Sequence, residues 1–322
     1  MKISVIIPAY NAEPYLAEAI ASCLEQTEPA DEIVVADDGS TDRTAEIAKQ
    51  FSSQVKLVRL EKNCGLPSAR NRAIEASTGD WLAFLDADDW FLPRKLELQR
   101  RSIQENPNAV LVYSGFRLRF PDGSERDGEF VPPGELHWRL RYHCPFQPCS
   151  VMLRRDAFNV LGGFDPDRRR CEDWDLWLRL ASRFSADAFA AVPEPLVAYR
   201  QTPGSLSSNA MRMYEAKAVI IESRSLYRTS GLNRFLLRRR LHAFNRYDAA
   251  VALREQGSAE YLNFVLSSLL LWPFPDRMLP LARYKTAAVM FLQSCRLWPN
   301  PFLPKKTSLK DAARGNRMDS GS

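Results

Sequence analysis

Trp81-Leu82-Ala83-Phe84-Leu85-Asp86-Ala87-Asp88-Asp89-Trp90 is the stretch that decides the fold. Five apolar residues in a row, too few for a helix, predict a strand buried on both faces. Three carboxylates in four positions follow at its carboxyl end. Pro93 then stands at a favourable first helical position for the amphipathic run 94–105. In an open α/β sheet, ligands bind beyond the carboxyl ends of the strands. Carboxylates this close repel one another and call for a cation between them. Oxygen ligands suit Mg²⁺ or Mn²⁺, which commonly take one or two carboxylates plus substrate phosphates. A lone Asp-x-Asp would be read as a solvated acidic turn, so the case rests on what surrounds it.

Outward from that stretch the pattern repeats. Ile3–Ile7 is a strand stopped by Pro8, and helical spacing of apolar residues follows from Pro14 to Leu24. Ile33–Ala36 is a second buried strand, ending in Asp37-Asp38-Gly39-Ser40-Thr41-Asp42. Ser40 or Thr41 is expected to cap the helix that runs to Phe51. Val55–Leu60 is a third strand, and Pro67 opens a helix ending near Gly79. Strict strand–helix alternation predicts a parallel sheet with helices on both faces, every acidic cluster lying on one rim. After Pro107 come a strand over 109–116, a hairpin turn at Pro121-Asp122-Gly123, and a Pro- and Gly-rich stretch over 125–149 that reads as a long functional loop. A short extended segment at 151–153, one or two helical turns over 156–161 closed by Gly162-Gly163, a helix over 172–182, an extended segment over 193–199 and a polar loop over 201–209 complete this part. From Met211 the pattern is helical, with a faint echo between Leu270-Leu271-Trp272-Pro273 and Arg296-Leu297-Trp298-Pro299; residues 305–322 read as a disordered polar tail.

The whole chain of 322 residues carries a formal charge of +5, but unevenly. Residues 1–211 hold 25 Lys and Arg against 31 Asp and Glu, and residues 212–322 hold 19 against 8. Six scattered cysteines, without Cys-x-x-Cys or metal-ligand spacing, fit a reducing cytosol. The N-terminal apolar run is too short for a signal peptide, and no stretch reaches the roughly 18 apolar residues that span a bilayer. The expected location is cytoplasmic, at most touching the inner face of the cell membrane.

Pro8-Ala9-Tyr10-Asn11, Asp37-Asp38-Gly39-Ser40-Thr41-Asp42, Asn63…Gly65…Ala69-Arg70-Asn71, Asp86-Ala87-Asp88-Asp89 and Glu172-Asp173-Trp174-Asp175 occur in that order. Together they resemble family 2 glycosyltransferases of the GT-A fold, over residues 1 to about 210. The resemblance implies a metal-dependent enzyme that moves a sugar, with inversion, from a nucleoside diphosphate sugar, most simply of the UDP type. It implies that Asp38 binds the base with Asp37, Pro8, Ala9, Tyr10 and Asn11 around it, and that Arg70 faces the nucleotide. Asp88 would ligate Mg²⁺ or Mn²⁺; Asp86, with Ala87 beside it, would lie against ribose and metal. Asp89 reads as a helix-start acid rather than a ligand. Asp173 would be the general base, since inversion needs a carboxylate opposite the leaving group to take the acceptor proton. Glu172, Gly163 and Trp174 would stand on the acceptor side, Trp174 and Trp177 either stacking on sugar or serving as core. Many relatives carry a loop histidine after the position of Arg200; Gln201 and Thr202 stand there instead, so Arg200 is the expected phosphate contact.

Alone, each residue has a plainer explanation: Asp37 and Asp38 as helix caps, Tyr10 as core, Arg70 as a solvated charge, Asp173 and Asp175 as acids favoured by a helix start. Two other functions are weighed. A nucleotidyltransferase would want a Gly-rich, basic phosphate loop where Pro8–Asn11 stand, and a non-catalytic binding module would not need Asp173. The implied domains are a GT-A unit over 1–210, a helical extension over 211–304 and the tail over 305–322. The acceptor is expected to be a glycan or lipid-linked hydroxyl, in cell-surface polysaccharide or glycan assembly. The basic extension, with Arg238-Arg239-Arg240 among leucines, is either a packed helical subdomain or a peripheral membrane contact. Nucleic acid is not an expected partner.

Overall fold

The structure is a computed structural model that describes residues 1–202, 209–275 and isolated positions between 278 and 289. The first half builds the alternation the sequence predicts. Strands β1 (Ile3–Ala9), β2 (Glu32–Asp37), β3 (Val55–Arg59) and β4 (Trp81–Phe84) alternate with helices α1 (Leu16–Leu24), α2 (Thr44–Gln50) and α3 (Leu66–Glu75). These four strands pair in parallel in the order β3-β2-β1-β4. Ile6, Val34, Leu82 and Phe84 fill one face of the sheet while Val5, Ile7, Val35 and Ala83 fill the other. Successive residues thus enter opposite cores, which is why the strands read as unbroken apolar runs.

The second half breaks the parallel order. After β5 (Trp90–Phe91) and α4 (Lys95–Glu105) come β6 (Leu111–Arg119), β7 (Glu125–Asp127), α5 (Pro133–Arg139), β8 (Val151–Arg154), α6 (Arg155–Leu161), α7 (Glu172–Arg183) and β9 (Phe189–Arg200). Strand β8 inserts between β4 and β6, antiparallel to both, and β9 runs parallel to β6. The longer ladders are parallel and the short ones antiparallel, in a sheet ordered β3-β2-β1-β4-β8-β6-β9-β5. The stretch 125–149, expected as loop, contains β7 and α5.

Helices α8 (Ala210–Ile220), α9 (Gly231–Glu255) and α10 (Tyr261–Leu271) follow, with a π-helical turn over Ile221–Ser225. Ile220, Ile221, Leu226 and Leu241 join the same buried cluster as Phe84 and Trp177. The polar loop expected over 201–209 lies largely outside the described residues. So do the second half of the Leu-Trp-Pro echo and the tail over 305–322.

One helix start differs from expectation for a reason that bears on the site. Ser40 and Thr41 do not cap α2; Asp42, ahead of the helix, accepts from the Thr44 amide at 3.0 Å and the Thr44 hydroxyl at 2.5 Å. Ser40 instead accepts from the Asn11 amide at 2.9 Å, and the Thr41 amide donates to Asn11 Oδ1 at 3.0 Å. These side chains are recruited across the sheet to hold the end of β1.

Candidate active site

The carboxyl ends of β1, β2 and β4 form one rim, and the acidic motifs sit on it. Ala9 pairs with Asp37 at the last register position, and the Asp38 amide donates to Ala9 O at 2.8 Å. Asp37 is fully buried; it accepts from the Ser40 amide at 3.0 Å and meets Arg59 Nε at 3.2 Å. Asp38, also buried, accepts from the Cys64 and Gly65 amides, each at 2.8 Å. It therefore ties the β3–α3 connection to the rim. Gly39, at φ +70°, lets the two loops touch: a Cβ there would stand 2.7 Å from the Lys62 carbonyl carbon. Tyr10 is half exposed above this floor, and Asn11 takes a left-handed φ of 47° where β1 turns away. Pro8 lies within β1, opposite Ala36.

Arg70 is buried to 1%, not solvated. Its Nη2 donates to Asp86 Oδ1 at 2.5 Å and its Nη1 to Glu172 Oε1 at 2.6 Å. The guanidinium carbon lies 5.4 Å from the centre of the Phe164 ring. Burial works against its charge, but Asp86 and Glu172 outweigh that and hold it protonated. Burial also pushes the Glu172 carboxyl up to about 7, against the pull of Arg70. Sequence reasoning aimed Arg70 at a nucleotide and Glu172 at an acceptor; here each is occupied by the other.

Asp173 follows Glu172 at the start of α7 and is partly accessible. Burial raises its carboxyl above the usual range, Arg70 opposes, and Cys144 Sγ donates to its Oδ2 at 3.8 Å. The preceding residue, Cys171, adopts φ 56° and swings the chain into the helix. The turn before α7 is fixed from two sides. Asn71, next to Arg70, exchanges two hydrogen bonds with the Phe164 backbone at 2.8 and 3.0 Å. Arg179 donates to the carbonyls of Leu161 and Gly163 at 2.6 and 2.7 Å. Gly162 and Gly163 both take positive φ, as the tight turn requires. Asp175, expected as a helix-start acid, is the buried anchor for Arg168, Arg179 and Arg224.

Three expectations are corrected here. Trp174 and Trp177 are core: both are buried, and the Trp174 indole donates to Leu140 O at 2.6 Å. Asp89 starts no helix; it is buried and accepts from the Arg200 amide at 2.9 Å. Burial and the neighbouring Asp86 and Asp88 push it well above the usual carboxylate range. Arg200 is committed within the protein, donating to Asp88 O at 2.9 Å and to Glu18 at 2.5 Å, with the Tyr15 and Trp90 rings about it.

Asp86 and Asp88 are both partly accessible, and Asp88 is the one that Arg70 does not hold. Burial and the adjacent Asp86 raise it to about 6. Ala87 between them is buried. No three His, Cys, Asp or Glu side chains converge as a metal cage among the described residues. Asp88, with the Asp86 oxygen that Arg70 does not use, offers two hard oxygens at a rim open to a ligand. That set fits an ion such as Mg²⁺ or Mn²⁺ completing its shell with phosphate and water.

Residues 4–162 match the family described as Glycosyl transferase family 2. The putative teichuronic acid biosynthesis glycosyltransferase TuaG of Bacillus subtilis is 33% identical over 212 residues, 64% of this chain and 82% of that protein. The chain belongs to glycosyl transferase family 2. The UDP-Glc:alpha-D-GlcNAc-diphosphoundecaprenol beta-1,3-glucosyltransferase WfgD of Escherichia coli is 31% identical over 65% of this chain and 81% of its own. Among solved structures, S. aureus TarS 1–349 with UDP-GlcNAc superposes at a TM-score of 0.62, with 19% identity, over 92% of this chain and 88% of that one. The mannosyltransferase PcManGT of Pyrobaculum calidifontis, with GDP-Man and Mn²⁺, superposes at 0.55 with 20% identity, over 92% and 86%. The fold of this glycosyltransferase is therefore GT-A.

Proposed function

We propose that this glycosyltransferase moves a sugar, with inversion, from a UDP-type nucleoside diphosphate sugar to a hydroxyl of a glycan or lipid-linked acceptor. The reaction would use Mg²⁺ or Mn²⁺ and serve cell-surface polysaccharide assembly on the cytoplasmic side. The observation that carries this reading is Arg70, whose one guanidinium grips Asp86 and Glu172. It fixes the acidic rim and the residue beside Asp173 in one rigid unit, as a transfer between a donor and an opposed acceptor requires.

The rim formed by Pro8, Ala9, Tyr10, Asn11, Asp37 and Asp38 is the nucleotide side. Tyr10 offers an exposed ring, and the buried acids hold the loops that shape the floor. Asp88 and Asp86 would hold the cation, which supplies positive charge against the diphosphate as the glycosidic bond breaks. Asp173 takes the proton of the attacking hydroxyl; burial raises its carboxyl above the usual range and so makes it a stronger base. Glu172, held by Arg70, positions Asp173 rather than touching the acceptor. Gly163 shapes the acceptor side through its turn, and Arg200 braces the Asp88 backbone behind the diphosphate.

Support for the finer choices comes from the relatives. The name of WfgD specifies UDP-Glc and a diphospholipid acceptor, TuaG is placed in teichuronic acid synthesis, and TarS is seen with UDP-GlcNAc. PcManGT holds GDP-Man with Mn²⁺ on the same fold, so the nucleotide must be tested. A panel of UDP- and GDP-sugars, read by thermal shift and donor hydrolysis with Mn²⁺, Mg²⁺ or chelator, does so. A metal-dependent response to a UDP-sugar is expected; a response to GDP-sugars alone, or one undiminished in chelator, would overturn it.

A further inference from the structure

The C-terminal helices carry a feature that sugar transfer does not use. Helix α9 turns Leu237, Leu241 and Phe244 toward the main core. On its first turns Leu232, Phe235 and Leu236 face away from it, and they are 70%, 53% and 39% exposed. Helix α10 packs antiparallel along α9: the Ser268 hydroxyl donates to Ala243 O, and Arg239 reaches the Leu271 and Leu270 carbonyls at 3.1 and 3.3 Å. Those bonds bring the end of α10, with Leu270 80% exposed and Phe274 63% exposed, beside the α9 turn that bears Phe235. The Phe235 ring centre lies 5.7 Å from the Arg239 guanidinium carbon. Two segments thus meet in one apolar tip, larger than the single exposed leucines of an ordinary surface.

The sequence of this tip is basic. Residues 231–245 contain Arg234, Arg238, Arg239 and Arg240 and no acid, and α10 has no charged residue. Among the described residues, Glu222 reaches this part of α9 and pairs with Arg238 and His242, while Arg240 lies over the buried Tyr142 ring. We infer that the tip of α9 and α10 is a docking surface for an anionic lipid bilayer. Apolar side chains ringed by guanidinium groups match the boundary between acyl chains and anionic headgroups. A second copy is a poor occupant, because a two-fold contact would set the same arginines face to face. The C-terminal residues 290–322 are no better: they hold six Lys and Arg against two Asp, the same sign as the tip. The surface does not depend on the donor or on Asp173, so vesicle binding and sugar transfer fail or succeed separately.

The test is sedimentation of the full-length protein with phosphatidylcholine vesicles and with vesicles of equal parts phosphatidylcholine and phosphatidylglycerol. The protein should bind the anionic vesicles, with at least roughly tenfold weaker partitioning to neutral ones and a marked loss in high salt. L232S/F235S should weaken anionic binding by roughly tenfold, and L270S by several-fold, with melting temperature and donor hydrolysis unchanged. Failure of the parent protein to bind anionic vesicles would overturn the inference, as would undiminished binding by both variants. A parent dimer that L232S/F235S converts to monomer would assign the tip to a second copy instead.

Discussion

Arg70 Nη1 stands 2.6 Å from Glu172 Oε1, joining two residues 102 positions apart across the centre of the site. The same guanidinium holds Asp86 at 2.5 Å, so one buried cation balances two carboxylates from different halves of the chain. Removing a member of such a set leaves an uncompensated buried charge, which costs more than the set contributes when intact.

Arg70→Ala is therefore expected to destabilise the fold by about 3–5 kcal/mol at pH 8. The loss should shrink toward pH 5.5, because Glu172, already raised to about 7, can take up a proton when its partner is gone. Chemical denaturation at the two pH values checks this. An equal loss at both would mean the ion pairs are not what the position supplies.

Asp38→Ala leaves the Cys64 and Gly65 amides without their acceptor in a crowded turn. The expected cost is about 2–4 kcal/mol, with faster hydrogen exchange confined to the 62–65 segment. Exchange measured by mass spectrometry reads it directly; protection unchanged in that segment would contradict the role.

Lys95 gives a pH dependence remote from the rim. It is fully buried, donates to Gln99 Oε1 at 2.7 Å and lies 4.2 Å from the Phe91 ring centre. Burial pulls its amine down to about 7. Between that value and the ordinary lysine range the unfolded chain binds the extra proton, so this group makes stability rise with pH. The slope is at most about 1.4 kcal/mol per pH unit, gained from pH 7 upward and absent below. Lys95→Met should be more stable than the parent at pH 7 and lack that slope between pH 7 and 9. A variant with the parental slope would show that other groups set it.

The rim was legible because β2 and β4 are apolar runs that end in acids and turn residues, and β1 is one that ends at Pro8. Both the period and the punctuation are local. The partnership of Arg70 with Glu172 was not legible, since no spacing rule connects α3 to α7; only the fold brings them together. Strand β8 escaped the alternation rule because four residues carry no periodic signal, and so its antiparallel insertion went unforeseen. Trp174 was ambiguous because α7 is apolar on one side and acidic at its start, which suits either a core or a binding face. Its indole bond to Leu140 O decides for the core. Asp89 looked like a spare helix-start acid because its partner, the Arg200 amide, is 111 residues away.

The assignment of Asp173 as the base is the central claim, and one pair of variants tests it most directly. Asp173→Asn keeps the size of the side chain but cannot accept a proton, so donor binding should remain near parental while transfer falls by about 10²–10⁴. On the proposed reading, Asp88→Ala removes an oxygen that the cation would need already in the ground state, so it should lose metal-dependent donor binding as well. The decisive measurement is the single-turnover transfer rate of Asp173→Asn at saturating nucleotide sugar, beside its donor affinity. Near-parental affinity with a rate at least a hundredfold lower is the predicted result; near-parental turnover would contradict the account.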